Sequence, residues 1–98
     1  MSKYFLLWEM DRNRTPVDHK ERGAQYDGMV NMVKQYLKNG LLLDHGLFVG
    51  EGRGYAVFEG SEAQLSIMTE NFVPFVNFEV HAVAAMSHLE ELVQSLTG

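Results

Sequence analysis

The chain contains no cysteine, and that absence removes disulfides, thiolate nucleophiles and cysteine-ligated zinc or iron–sulfur centres together. Positive charge is also scarce. Eight lysines and arginines stand against thirteen aspartates and glutamates, a net charge of −5, so the protein as a whole repels phosphate backbones and anionic lipid. Neither nucleic acid nor membrane is an expected partner. Long apolar runs are missing too. The opening Met-Ser-Lys-Tyr-Phe-Leu-Leu-Trp-Glu carries a stretch far too short for a secretory signal or a bilayer span, and no other run approaches that length. A cytoplasmic protein is expected. No linker, internal repeat or low-complexity segment divides the 98 residues, so they are read as a single domain, small enough to bury only a modest fraction of its surface when it folds alone. Against those absences stand a 46% hydrophobic content and eleven aromatic residues, one tryptophan, four tyrosines and six phenylalanines. That is a globular composition, with apolar surface left over for a subunit interface.

Lys3 to Met10 is apolar on both faces, with Tyr4, Leu6 and Trp8 to one side and Phe5, Leu7 and Glu9 to the other, which predicts a central first strand. After the polar loop Asp11 to Arg14, Thr15-Pro16-Val17-Asp18 offers a capping threonine, a proline suited to the first helical position and an aspartate for the positive helix end. A helix is expected from there to Asn39, stopped by Asn39-Gly40. At about 100° per residue, His19, Gly23, Tyr26, Val30, Val33 and Leu37 fall along one line, the expected buried stripe. Gly23 and Gly28 weaken this helix and leave room beside its backbone, where a cleft is expected.

Leu41 to Gly50 reads as a second strand with a bulge near Gly46. Glu51-Gly52-Arg53-Gly54 reads as a glycine turn, its two glycines free to take positive φ, into a third strand, Tyr55 to Glu59. The capping-box spacing Ser61 to Gln64 opens a short second helix in which Leu65, Met68 and Phe72 recur at helical intervals. Phe72 to Ala84 is then a last strand entered through Pro74, with Val76, Phe78, Val80 and Ala82 on one face and Asn77, Glu79 and His81 on the other. A second capping box, Ser87 to Glu90, opens an amphipathic terminal helix with Leu89, Leu92, Val93 and Leu96 on one side. The order β-α-β-β-α-β plus a helix is the split β-α-β plan of ferredoxin-like α+β folds, a four-stranded antiparallel sheet with helices on one face. The other face needs a cover. A homodimer whose two sheets meet in a closed or nearly closed barrel supplies it.

Three stretches carry a resemblance: Lys-Tyr-Phe-Leu-Leu-Trp-Glu at the start, Gly52-Arg53-Gly54-Tyr55-Ala56-Val57-Phe58-Glu59, and Pro74-Phe75-Val76-Asn77-Phe78-Glu79-Val80 ahead of the terminal helix. Over nearly its whole length the chain resembles the dimeric α+β barrel superfamily, which includes antibiotic-biosynthesis monooxygenases, muconolactone isomerases, haem-degrading monooxygenases and stress-response proteins. Within it the chain is most similar to a small family of unknown function. The resemblance implies the fold and the dimer, and it implies no reaction. Haem-degrading members carry an asparagine on the first strand, a histidine on the first helix and a tryptophan on the second helix. Here only His19 has a loose counterpart, and the lone tryptophan is Trp8 on strand one. No position matches the histidine–aspartate pairing of the stress-response relatives.

Two groups of residues carry the expected function. In the polar row Asn77, Glu79, His81, a carboxylate two residues from an imidazole orients it for general acid–base work; the alternative is a solvated face or a polar dimer contact. His19, Gly23 and Tyr26 are expected to look onto the sheet near Trp8 and Tyr4, and an aromatic-lined pocket with one histidine suits a planar organic molecule. The alternative is an exposed first turn with His19 at its rim. His19, His45, His81 and His88 lack the spacing that brings two imidazoles to one ion, so neither metal nor cofactor is expected. Arg12, Arg14 and the helix start form a candidate anion cradle opposed by Asp11 and Asp18. The reading is a homodimer that binds a small aromatic or apolar molecule between helix one and the sheet. Its catalytic form is cofactor-independent proton transfer or oxygenation, with His19 or His81 as acid–base group, Glu79 as orienter, and Trp8, Tyr4 and Tyr26 as walls. The alternative is a non-catalytic assembly or regulatory module.

Overall fold

In the computed structural model, which describes residues 2–98, the first strand β1 (Ser2–Met10) is hydrogen-bonded on both sides. It pairs with β3 (Arg53–Gly60) and with β4 (Val76–Val83), the central place that its two apolar faces require. β2 (Leu42–Phe48) lies beyond β3, giving a wholly antiparallel sheet in the order β2-β3-β1-β4. Three helices, α1 (His19–Lys38), α2 (Glu62–Glu70) and α3 (Met86–Thr97), complete an α+β chain whose element order is compatible with the ferredoxin-like plan. Among the described residues no helix is long and apolar enough to cross a membrane.

The core lies on one face of the sheet. Tyr4 and Leu6 of β1, Ala56 and Phe58 of β3, Leu42 and Val76 meet Leu65 and Met68 of α2 and the following Phe72. Phe58 and Leu6 are wholly buried, each stabilising the fold by roughly 1.5–3 kcal/mol through lost apolar exposure. α2 is positioned by the expected capping box: Ser61 Oγ accepts the Gln64 amide at 3.1 Å and Gln64 Oε1 accepts the Ser61 amide at 2.9 Å.

Several sequence expectations are corrected. The first helix begins at His19, not at Thr15, because Asp18 caps it by accepting the Glu21 amide at 3.0 Å. Thr15 lies in the loop before it, its hydroxyl donating to the Asp11 carbonyl at 2.8 Å. Nor is the line His19, Gly23, Tyr26, Val30, Leu37 buried. The residues of α1 that meet the core are Met29, Met32, Val33 and Tyr36, a stripe turned by roughly 90° from the expected one at about 100° per residue. Flexible methionines reach the sheet where β-branched residues were expected to, and Tyr36 accepts a hydrogen bond from Asn71 at 2.7 Å. The bulge in β2 falls between Leu42 and Asp44, not at Gly46. The positive φ values of the hairpin belong to Gly50 and Gly52, whereas Gly54 lies within β3 because a Cβ there would collide with the Gly46 carbonyl and the Trp8 indole. α3 starts at Met86 on the carbonyl of Ala85 without a side-chain cap, so Ser87 is already inside it.

The opposite face of the sheet has no helix over it. Across the strands from β2 to β4 its rows are Asp44, Val57, Phe5, His81, then Gly46, Tyr55, Leu7, Glu79, then Phe48, Arg53, Glu9, Asn77. Phe5 and Phe48 both stack against Tyr55, at 6.0 and 6.3 Å, and the Tyr55 hydroxyl donates to Asp44 at 2.6 Å. Every residue from Glu79 to the end of α3 is exposed, Met86, Leu89, Leu92, Val93 and Leu96 included. The chain extends 61 × 26 × 20 Å along its principal axes.

Candidate functional site

β1 ends at Met10, and the chain leaves the sheet through the short turn Arg12–Arg14, which Asp11 caps by accepting the Asn13 amide at 2.9 Å. Pro16 and Val17 then carry it to α1. Arg22 reaches back one turn and donates through Nη1 to the carbonyls of Pro16 at 3.3 Å and Val17 at 3.0 Å, and Gln25 donates to the Arg14 carbonyl at 2.9 Å. These bonds clamp the loop onto the helix. The other end of the Gln25 amide, Oε1, is buried without a partner.

Only the second half of α1 meets the core, so beneath its first half an open cleft of ≈ 370 Å³ remains between the loop, the helix and the β2–β3 turn. Its apolar surface comes from Met10, Pro16 and Val17, and its aromatic surface from Tyr26. Arg12 and Arg22 supply charge, and Thr15 and Gly52 complete the lining. The volume suits a small organic molecule.

Of the residues singled out in the sequence, most lie away from this cleft. Tyr26 lines it. His19 is the exposed first residue of α1, three residues before Arg22. Gly23 is exposed, and a Cβ there would meet nothing within 4 Å. Tyr4 is buried in the core beside Phe58, ring centroids 6.2 Å apart. Trp8 is half-buried on the helix-side face, where its indole N–H donates to the Tyr55 carbonyl at 3.1 Å and its ring stacks on His45 at 5.3 Å. Glu79 and His81 are paired at 2.7 Å on the uncovered face, both more than half exposed, with Asn77 on the same strand face. The structure therefore brings Glu79 to His81 as the i, i+2 spacing predicts, and does not bring His19 to either.

His45 is the one histidine in a built environment. Burial under the indole pushes its pKa below the ordinary value, and the neighbouring Asp44 carboxylate only partly opposes this. The hydrogen bond to Asp44 raises the Tyr55 phenol above its usual value. Among the described residues no group of three histidine or acidic side chains is placed to hold a metal.

No protein-family model matches the chain, and no curated protein matches it in sequence. Sequence reasoning missed Met10, Val17 and Arg22 as cleft residues. The signal available was the apolar pair Pro16-Val17 set among arginines, and it was absorbed by reading Pro16 as the first residue of the helix. The Trp8–His45 stack joins positions on β1 and β2 that are not neighbours in the sheet, and no local pattern announces it.

Proposed function

We propose that the protein is a homodimer that binds a small, mostly apolar or aromatic organic molecule in the cleft between α1 and the end of the sheet. The observation that carries this reading is the cleft itself: an apolar wall, one tyrosine ring and two guanidinium groups around ≈ 370 Å³, held open by bonds that fix the loop to the helix. In its catalytic form the reading assigns cofactor-independent proton transfer or oxygenation, with His19, the first residue of α1, as the acid–base group for a molecule in the cleft; the Glu79–His81 pair lies on the uncovered sheet face and would serve only a molecule bound there. The test is a thermal-shift screen with small aromatic compounds. A rise in Tm that is lost in Tyr26→Ala and kept in a surface control such as Glu70→Ala is expected. A broad screen without any shift contradicts it.

The homodimer is supported by the apolar surface that one subunit leaves uncovered. Four strands at about 4.8 Å spacing and eight residues at about 3.3 Å give the open sheet face roughly 500 Å². The exposed side of α3, about 18 Å long and 10 Å wide, raises this to roughly 700 Å², close to the about 800 Å² that each partner contributes to a specific interface. The face carries Lys3 and Arg53 as well as Glu9, Asp44, Glu59 and Glu79, a mixture of signs that suits self-pairing about a two-fold axis. The same surfaces favour a second reading, a non-catalytic assembly module, in which dimerisation persists and no compound binds the cleft.

A further inference from the structure

The acid–base balance of the whole chain gives no reason to expect an anion site, yet the cleft gathers positive charge without neutralising it. Of the four arginines, Arg53 is held by Glu51 at 3.1 Å and Glu9 at 3.9 Å. No carboxylate lies within ion-pair distance of Arg12 or Arg22 among the described residues. Arg22 is fixed by two neutral carbonyls through Nη1 alone, which orients its guanidinium while leaving Nε and Nη2 to donate elsewhere. Arg12 makes no side-chain hydrogen bond within the described residues, and neither does the Tyr26 hydroxyl, yet both line the cleft. No acid is in the lining; Asp11 and Asp18 each accept a backbone amide at a cap, and Glu51 is held by Arg53. Arg12 and Arg22 both line this space, and a bound oxyanion would offset their like charge while accepting their N–H donors.

We propose that the cleft selects a small organic acid, with its carboxylate between Arg12 and Arg22 and its apolar body against Met10, Val17 and the ring of Tyr26. This rests on the reading of the cleft as the ligand site and names the class of ligand it takes. A neutral isostere loses the charge-assisted bonds and keeps the apolar contact, so the two claims separate experimentally. Phenylacetate, phenylacetamide and phenyl phosphate would be titrated into the full chain, with binding followed by calorimetry and located by amide chemical shifts at Tyr26 and Gly52. Phenylacetate is expected to bind about tenfold or more tighter than phenylacetamide. Arg12→Gln should erase that preference by weakening the acid at least tenfold more than the amide. Arg12 is exposed and makes no side-chain hydrogen bond, so the variant folds. In Arg22→Lys, charge is kept and the fixed fork is lost, and an intermediate preference is expected.

Equal binding of acid and amide at the cleft overturns the carboxylate assignment and leaves the cleft reading standing. So does a preference that survives in Arg12→Gln. Tighter binding of phenyl phosphate than of phenylacetate overturns it in favour of a phosphorylated ligand. Shifts confined to the open sheet face, or no binding of any of the three, overturn the cleft reading and the inference with it.

Discussion

His45 is half-buried with its imidazole stacked 5.3 Å from the Trp8 ring, and burial lowers its pKa from the ordinary 6.5. The folded state therefore binds fewer protons than the unfolded chain between that lowered value and 6.5. The stability His45 contributes is complete above about pH 6.5 and is lost as pH falls through the window below it. Chemical denaturation of the protein and of His45→Asn between about pH 8 and pH 5 checks this. The wild type should lose more stability on acidification than the variant, whereas equal slopes would show that the imidazole charges freely in the stack. Tyr55 shifts the other way. Its hydrogen bond to Asp44 raises the phenol above 10.0, so ultraviolet titration should show one tyrosine ionising late, and Asp44→Ala should return it to the ordinary range. At Phe58, wholly buried at the centre of the core, truncation to alanine should cost about 3–5 kcal/mol in urea denaturation. That is a large part of the stability of a domain this small.

Of the two helices that meet the core, α1 does so only through its second half. Its first half lies over the cleft, and at Gly23 and Gly28 an added Cβ would touch nothing within 4 Å. Gly23→Ala and Gly28→Ala should each stabilise the protein by about 0.5–1 kcal/mol, by helix propensity and by restricting the unfolded chain. A loss of stability at Gly23 would mean that the glycine serves close approach of something outside this subunit. The strands and α2 were legible in the sequence for physical reasons. A period of two shows wherever one face is buried, as in β3, and a Ser61–Gln64 capping box needs only local geometry. The rotation of α1 was not legible, because Met29, Met32 and Tyr36 are as compatible with solvent as with a core, and only the sheet beneath them decides. The start of α1 misled for a similar reason. Thr15 and Asp18 are both good caps, and only Asp18 accepts an amide of the first turn while Thr15 stays in the loop, bonded to the Asp11 carbonyl four residues back, a choice that residue preference alone does not make. Of the candidate site, Tyr26 and Arg12 were in view, while Arg22 was hidden because its role depends on a loop that folds back on the helix.

At the scale of the molecule, apolar residues divide into a core on one sheet face and a second set that the subunit leaves to solvent: Phe5, Leu7, Val57 and Phe48 of the sheet, partly exposed, and the stripe of α3. Leu89→Glu places a charge in the middle of that stripe. If α3 lies in a subunit interface, the substitution should weaken self-association by tenfold or more, since an unpaired buried charge costs several kcal/mol, and should leave the unfolding of each subunit nearly unchanged. The cleft lies at the opposite end of β1 from the residues that lead into α3, so substitutions in the cleft and in α3 can be made independently. Sedimentation velocity on the intact chain at micromolar concentration tests the account most directly. A single species of twice the 11.1 kDa of one chain is the predicted result, and a stable, folded species of one chain's mass would contradict it.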